Sequence, residues 1–256
     1  MIELKDVYYS YGDRAALCGA SLRVREGEHL ALVGPNASGK STLAWMMNAL
    51  LLPDKGYCTV DGIDTSKNPA HARRKVAMVF QNPEDQIVSR NVRDDVAFGP
   101  KNLGLPPAEV NRRVKLALEA LGLEEYADRN PHTLSGGQKQ LMAIAGALAM
   151  EPSYIVLDEP TALLDGTGAR AVRNAAEALK RRGKGIIWIT HDAEEALAAD
   201  VISVLKDGRV LASGAPGEIF NSAGILAESG LEAPYTWRLK SLLENGLTHT
   251  GAADRP

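Results

Sequence analysis

The sequence contains little cysteine, few aromatic residues and no long apolar run. Its 256 residues include 2 cysteines, 3 tryptophans and 3 phenylalanines. Cys18 and Cys58 are isolated in sequence and lack the spacing of a metal site or redox pair, so we expect reduced thiols. The longest apolar stretch, residues 141–150, is about half of the ~20 residues that a membrane-spanning helix needs. The sequence therefore predicts no transmembrane segment.

The chain also lacks an excess of positive charge and a signal-peptide pattern. It has 29 Lys and Arg residues against 32 Asp and Glu residues, a formal net charge of −3, which gives no electrostatic reason to bind nucleic acid. Glu3, Lys5 and Asp6 interrupt the start of the chain, so we expect no signal peptide. With 45% apolar residues, a chain of this length can bury the core of an α/β domain.

A glycine-rich motif lies at residues 34–42. It reads GPNASGKST and fits the pattern G-x-x-x-x-G-K-[ST], with an apolar strand pattern before it and an apolar helix pattern after it. Glycines let successive backbone N–H groups turn inward around a phosphate, and the following helix adds the positive end of its dipole. The motif predicts an ATP-binding loop made of Gly34, Pro35, Asn36, Ala37, Ser38, Gly39, Lys40, Ser41 and Thr42. Within this loop, Lys40 would reach the β- and γ-phosphates and Ser41 would bind Mg²⁺.

A second motif is an apolar strand pattern that ends in two carboxylates, Asp158 and Glu159. Apolar runs of this length are common in core strands, and Asp158 could also cap the next turn. A phosphate-binding loop, however, needs a carboxylate at the end of a neighbouring strand to hold Mg²⁺. We therefore predict Asp158 as a metal ligand and Glu159 as the residue that activates the attacking water.

A third motif, LSGGQ, opens an apolar helix pattern at 136–150. In this order, the three motifs resemble those of the ATP-binding subunits of ATP-binding-cassette (ABC) transporters, and the resemblance covers nearly the whole chain. It implies ATP and Mg²⁺ as cofactors, and two ATP sites that are each shared between two ATPase subunits. In each shared site the γ-phosphate would contact the signature residues of the opposite subunit, which are Leu134, Ser135, Gly136, Gly137 and Gln138.

The resemblance implies roles for four further residues. Gln81 is similar to the glutamine that contacts Mg²⁺ and the attacking water, and His191 to the switch histidine that binds the γ-phosphate, although a lone histidine is often structural. With Glu159, these two are the expected catalytic residues. Asp165 resembles the aspartate that signals across the dimer, although it could simply cap the next helix. Tyr11 resembles the aromatic residue that stacks on adenine, although tyrosines are ordinary in strands.

Two positions depart from the family pattern. Ala37 stands where glycine is common, which costs roughly 1 kcal/mol if the backbone there needs a positive φ, but which keeps the N–H. Leu141 stands where arginine is often found, which removes one candidate charge contact near the loop that begins at Gln81 or near the strand that ends at Asp158. Because both departures leave Lys40 and Glu159 intact, we expect an active ATPase.

Three segments are similar to the energy-coupling-factor and cobalt-type importers: residues 80–86, residues 94–100 and the tail at 230–234. In that branch, a pair of ATPase subunits lies beneath a transmembrane coupling protein, and a small membrane protein binds the vitamin or transition-metal ion. The resemblance implies a peripheral subunit at the cytoplasmic face of the cell membrane. Through ATP-driven dimer closure it would power the import of vitamins, cobalt or nickel, with either an identical or a related ATPase as its partner.

The sequence predicts an α/β fold with a P-loop NTPase (RecA-like) core. We expect an antiparallel β subdomain from residues 2–33, beside the nucleotide, and a further strand and turn at residues 54–62. Strand patterns further along alternate with helix patterns, which indicates a parallel sheet. The predicted domains are an ABC nucleotide-binding domain at 1–220 with an α-helical signature subdomain at about 83–150, a short C-terminal helical extension at 221–247, and a disordered tail at 248–256.

Two other classes of function stay open on the sequence alone. A non-transport ABC ATPase that acts on nucleic acid or ribosomes would share these motifs, but such proteins usually carry very long coiled coils or two cassettes, and this chain has one set of motifs. A regulatory module with an inactive site is the other class. Intact Lys40, Asp158, Glu159 and His191 disfavour it, and a Mg²⁺-dependent ATPase assay decides.

Overall fold

A computed structural model describes residues 1–239, which form two β-sheets with helices packed around them. The strands are β1 (Ile2–Tyr11), β2 (Arg14–Val24), β3 (His29–Val33), β4 (Lys55–Val60), β5 (Ile63–Asp64), β6 (Val76–Val79), β7 (Tyr154–Asp158), β8 (Gly185–Thr190), β9 (Val201–Lys206) and β10 (Arg209–Gly214). The α-helices are α1 (Lys40–Met47), α2 (Pro69–Lys75), α3 (Val92–Asn102), α4 (Pro107–Leu121), α5 (Gly136–Ala149), α6 (Gly166–Arg181), α7 (Ala193–Ala196), α8 (Pro216–Phe220) and α9 (Ala223–Ser229).

The larger sheet forms the core of the fold, with the strand order β10-β9-β3-β8-β7-β6. All of its neighbouring pairs are parallel except β9 and β10. Every residue of β3, β7 and β8 is buried. Strands covered on both faces read as continuous apolar runs rather than alternating ones, which is why the sequence shows these three so clearly. The predicted α/β class is confirmed.

The smaller sheet is antiparallel, with the order β2-β1-β4-β5. The expectation of antiparallel strands among residues 2–33 holds for β1 and β2. It is wrong for β3, which lies between β8 and β9 in the parallel sheet. The reason is burial, because both faces of β3 are covered, whereas β1 and β2 each keep exposed residues along one side.

Helices α3, α4 and α5 pack on one another around an apolar cluster of their own, which includes Val96, Val114 and Met142. Helix α4 begins with a proline in its first turn and ends at Gly122, whose left-handed φ of 66° terminates the helix. The helical region lies within the predicted range of 83–150, and the signature motif stands at the start of α5.

The chain after β10 folds back onto the large sheet through α8 and α9. Residues 235–239 are helical, and there the ring of Trp237 lies 6.0 Å from that of Phe220. The predicted extension at 221–247 is thus described as far as residue 239, and the predicted tail at 248–256 lies outside the described residues. Within residues 1–239, no helix combines the length and the apolarity that crossing a membrane requires.

The strand order brings four chain segments to one edge of the large sheet. The glycine-rich loop follows β3, Asp158 ends β7, His191 follows β8, and Gln81 lies just beyond β6. Because the carboxyl ends of parallel strands meet at the same edge, segments that are far apart in sequence become neighbours there.

Candidate active site

The loop at residues 34–42 requires glycine at two positions. Gly34 has a φ of 151°, and a Cβ atom there would lie 2.0 Å from the Leu205 carbonyl oxygen. Gly39 has a φ of 102°, and a Cβ atom there would lie 2.6 Å from the Ala16 carbonyl oxygen. Ala37 has a φ of 61°, in the left-handed region. The predicted strain at this position is therefore present in the folded chain.

Lys40 begins helix α1 and turns its side chain back into the loop. Its Nζ donates hydrogen bonds to the carbonyl oxygens of Gly34, at 2.9 Å, and Pro35, at 3.0 Å. The residue is only 6% exposed, and this burial lowers the pKa of the ammonium group, against the attraction of Glu159 and Asp158. An ammonium held within a glycine-rich loop at the start of a helix is suited to bind the oxygens of a phosphate chain.

Asp158 lies beside Ser41, the first helical residue after Lys40. The carboxylate accepts a hydrogen bond from the Ser41 hydroxyl, and burial raises the pKa of Asp158, with the bond to Ser41 acting in the opposite direction. Carboxylate and hydroxyl oxygens are the hard ligands that Mg²⁺ takes, together with phosphate oxygens. Two of the three residues predicted as metal ligands, Ser41 and Asp158, are therefore neighbours and of a fitting type. The third, Gln81, contacts Glu159 instead.

Glu159 stands at the centre of the remaining polar cluster. Its Oε2 accepts a hydrogen bond from Gln81 Nε2 at 3.1 Å, and its Oε1 lies 3.4 Å from His191 Nδ1. The backbone of Glu159 has a φ of 45°, and its N–H donates to the Ile189 carbonyl oxygen at 2.9 Å. The three residues predicted to be catalytic thus meet at one carboxylate beside the loop.

Tyr11 lies at the outer side of the loop. It is 46% exposed, its hydroxyl is 3.4 Å from Thr42 Oγ1, and the ring of Tyr9 meets its ring edge-on at a centroid distance of 4.9 Å. Tyr11 and Lys40 line one open cleft of about 390 Å³, together with Arg14 and Glu159. An exposed ring over a phosphate-binding loop is a suitable surface for a nucleobase to stack on.

Four signature residues line a different cleft, of about 370 Å³: Ser135, Gly136, Gly137 and Gln138. The fifth, Leu134, is buried in the apolar cluster of helices α3, α4 and α5. Ser135 and Gln138 form a capping box at the start of α5: Ser135 N donates to Gln138 Oε1 at 2.9 Å, and Gln138 N donates to Ser135 Oγ at 3.3 Å. Gly137 packs so tightly that a Cβ atom would lie 2.8 Å from Gly168 Cα. The fold of a single chain thus separates the signature from the cleft that holds Lys40.

Asp165 also lines the signature cleft. Its side chain accepts a hydrogen bond from Gly168 N at 2.7 Å and so caps α6. This is the local role that the sequence left open as an alternative, and the role across a dimer stays a prediction.

Two contacts join the Gln81 loop to the start of helix α5. Gln140, which is fully buried, donates from Nε2 to the Phe80 carbonyl oxygen at 3.3 Å. Lys139 forms a short ion pair with Glu84. Leu141 stands where arginine is often found. Lys139, two positions earlier, nevertheless supplies a charge contact to this loop.

Sequence reasoning missed Glu195, on helix α7. Its carboxylate accepts hydrogen bonds from Thr161, in the loop after β7, and from Thr190, the last residue of β8. The signal in the sequence was weak, because an acidic residue shortly after His191 reads as an ordinary exposed helix position. Only the packing of α7 against β8 turns it inward.

Comparisons with known proteins agree with this geometry. The ABC transporter family profile matches residues 17–162. The chain is 45% identical to the cobalt import ATP-binding protein CbiO of Syntrophus aciditrophicus, over 94% of this chain and 89% of that protein. It is 50% identical to the energy-coupling factor transporter ATP-binding protein EcfA1 of Symbiobacterium thermophilum, over 91% of this chain and 85% of that protein.

Solved structures give the same result. One is cbiO1 from Clostridium perfringens, described as part of the ABC transporter complex cbiONQ, with a TM-score of 0.80, 35% identity and coverage of 95% of this chain and 98% of that one. Another is a dimeric ATP-binding cassette in a post-hydrolysis state, bound to ADP and Pi, with a TM-score of 0.74, 32% identity and coverage of 84% and 99%.

Proposed function

This chain belongs to the ABC transporter family, and we propose that it is the ATP-hydrolysing subunit of an importer of the energy-coupling-factor or cobalt type. It is an ATPase by its family. The observation that supports an active site is the meeting of Gln81, Glu159 and His191 beside the loop that carries Lys40. Its relatives named for energy coupling and cobalt import supply the transport class.

In the proposed mechanism, the loop at 34–42 binds the phosphates of ATP through its N–H groups. Lys40 Nζ leaves the two carbonyl oxygens it now contacts and turns toward the β- and γ-phosphates. Ser41 and Asp158 would hold Mg²⁺, which neutralises negative charge on the phosphates. The base of ATP stacks on Tyr11 at the open side of the cleft.

Hydrolysis is proposed to run through Glu159. Its carboxylate accepts a proton from a water molecule while the water oxygen attacks the γ-phosphorus, and the bond from that phosphorus to the bridging oxygen of ADP breaks. Gln81 and His191 already contact the two oxygens of this carboxylate. These contacts support the proposal that Gln81 orients the water and that His191 holds the γ-phosphate.

We propose that a second ATPase subunit, identical or related, completes each site. The signature residues and Lys40 line separate clefts within one chain, so one chain alone does not bring the two to the same phosphate. A face-to-face pair would set the signature of each subunit against the loop of the other. The dimeric ATP-binding cassette among the similar structures supports the pairing of two subunits.

The transmembrane coupling protein is proposed to bind beside the Gln81 loop. A cleft of about 160 Å³ opens there between the loop and helix α3, and Val88 and Phe98 line it although each is at least half exposed, at 56% and 50%. Gln81 stands at the base of this loop, so closure of the ATPase pair would move the docked partner. A separate small membrane protein would bind the vitamin or metal ion. This subunit would then lie at the cytoplasmic face of the membrane, as a peripheral partner of the coupling protein.

Affinity purification from native membranes, followed by mass spectrometry, tests the proposal. Recovery of a helical membrane coupling protein with a small cargo-binding membrane protein would support the importer and supply its substrate class. A related ATPase in the same complex would favour a heterodimer. Recovery of ribosomal proteins or DNA-bound partners instead, under mild detergent and with ATP present, would replace the importer with the non-transport alternative.

A further inference from the structure

Glu195 lies behind the contact between Glu159 and His191, on the short helix α7. Its side chain is only 9% exposed, so its charge has to be satisfied by other side chains. It accepts hydrogen bonds from Thr161 Oγ1 at 2.5 Å, Arg173 Nη1 at 3.4 Å, Trp188 Nε1 at 3.1 Å and Thr190 Oγ1 at 2.8 Å.

The two carboxylate oxygens of Glu195 serve different turns of the chain. Oε1 accepts from Thr161, which follows Glu159 by two residues, and Oε2 accepts from Thr190, which directly precedes His191. One rigid group therefore holds both turns that carry the proposed base and the proposed switch histidine.

The hydroxyl of Thr190 also contacts Asp192, the residue that follows His191. A hydroxyl has one proton to donate, and Thr190 gives it to Glu195. Its lone pair is then left to accept the N–H of Asp192, at 3.0 Å. Glu195 thus fixes the direction of a hydroxyl that links the two residues flanking His191, Thr190 and Asp192.

We propose that Glu195 is a positioning residue for ATP hydrolysis, which sets the placement of Glu159 against His191 through Thr161 and Thr190. The proposal rests on the roles given to those two residues under the proposed function. Glu195 acts through its neighbours and not on ATP itself, so its loss should slow the chemical step more than it weakens ATP binding.

The first test is Glu195→Gln, measured by steady-state ATPase kinetics. The amide keeps the size of the side chain but replaces one acceptor oxygen with an NH₂ group. Because this NH₂ group would face hydrogen-bond donors, the hydrogen bonds that the oxygen accepted are lost. We expect kcat to fall on the order of 10- to 100-fold, as for other residues that orient a reacting group. The KM for ATP should change by about twofold or less, because the loop and Lys40 are untouched.

Glu194→Gln is the matched control, the same change one residue earlier. The Glu194 carboxylate accepts hydrogen bonds from Thr236, at 2.7 and 3.1 Å, and so points to the C-terminal segment. We expect its kcat to stay at the wild-type value. Unchanged kcat in Glu195→Gln, or an equal loss in both variants, would overturn the positioning role.

A pair of threonine variants keeps the test decisive if Glu195→Gln does not fold. Thr190→Val has the shape of threonine without the hydroxyl and should reproduce the fall in kcat, whereas Thr190→Ser keeps the hydroxyl and should retain most of the activity. Where Glu195→Gln does fold, it can be combined with Thr190→Val. The fold decrease in kcat of the double variant should be smaller than the product of the two single decreases, because both substitutions remove the same hydrogen bond. Full activity in Thr190→Val would contradict the proposal.

Glu159→Gln separates failure of this inference from failure of the proposed function. If Glu159→Gln retains turnover, the proposed base is wrong whatever Glu195 does. If Glu159→Gln abolishes hydrolysis while Glu195→Gln and Thr190→Val hydrolyse ATP normally, only the positioning role is refuted.

Discussion

The side-chain amide of Gln81 donates a hydrogen bond to Oε2 of Glu159 over 3.1 Å, although the two residues are 78 positions apart in the sequence. Strands β6 and β7 are parallel neighbours, so the residues that follow them leave the sheet side by side. Gln81 begins the loop beside the proposed docking cleft, and Glu159 is the proposed base. This one contact therefore links the surface that would meet the membrane partner to the group that would activate water.

We expect Glu159→Gln to bind ATP and to hydrolyse it at least roughly 100-fold more slowly, because the amide cannot take the proton of the attacking water. ATP binding, measured by equilibrium titration, should stay near the wild-type value, since Lys40 and the loop are unchanged. Glu177→Gln is a matched control on the surface of α6, where the side chain is 56% exposed. Turnover in Glu159→Gln equal to that of this control would exclude Glu159 as the base.

Ala37→Gly should stabilise the protein by about 1 kcal/mol, because it removes the strain of a side chain in the left-handed region. At a φ of 61°, glycine is the better residue, and the N–H that is proposed to bind the phosphates is retained. Thermal unfolding measures the effect, with KM for ATP as a second readout that should hardly change. Ala171→Gly, within α6, is the control and should destabilise by about 1 kcal/mol. A lower melting temperature for Ala37→Gly would show that the site does not hold this strain.

Tyr11→Ala should raise the KM for ATP about tenfold, because loss of base stacking on an aromatic ring costs on the order of 1–3 kcal/mol. Tyr11→Phe keeps the ring and loses only the 3.4 Å contact with Thr42, so its KM should stay close to the wild-type value. The rate constant kcat should change little in either variant. Tyr57→Ala, at an exposed position of β4, is the control for loss of a surface tyrosine. A normal KM in Tyr11→Ala would place the adenine elsewhere.

The folded protein should lose stability as the pH falls from 7 to 5, in part through His29. Burial lowers the pKa of His29, with Lys180 acting in the same direction, and its Nε2 has no hydrogen-bond partner among the described residues. Below its ordinary pKa of about 6.5, the unfolded chain takes up a proton that the folded chain resists, so protonation favours unfolding.

The substitution His29→Leu removes this pH-dependent contribution. The melting temperature of the variant relative to wild type should therefore rise as the pH is lowered from 7 to 5, by about 2–4 °C for each kcal/mol involved. At pH 8 the imidazole of His29 is neutral in both the folded and the unfolded chain. The difference in melting temperature between the variant and wild type at pH 8 is therefore the internal reference. A difference that stays constant between pH 8 and pH 5 would contradict the expected role of His29.

Local patterns predicted the elements of the fold well where burial is uniform. The strands β7 and β8 read as apolar runs because both of their faces are covered, and the loop at 34–42 follows from glycines that no other residue can replace. The sheet of β3 was predicted wrongly from its position next to β1 and β2 in the chain, although its continuous apolar run is typical of a strand buried on both faces.

The proposed catalytic residues were predicted from motifs and from the family resemblance, and their mutual contacts were not. That Gln81 and His191 touch opposite oxygens of Glu159 depends on strand order, which no local pattern encodes. Glu195 shows the same limit more strongly. Its four donors come from α6, from β8 and from the loop after β7, and an acidic residue on a short helix gives no sequence signal of burial.

The sequence by itself determined the chemistry of this protein: a phosphate-binding loop, carboxylates at a strand end and the family to which they belong. These depend on residue type and on short spacing, which set backbone conformation and charge locally. Only the tertiary structure decided which groups meet. It placed Gln81 against Glu159, fixed both turns on Glu195, and set the signature in a cleft apart from Lys40. Such contacts arise from the order and register of strands, which long-range burial selects.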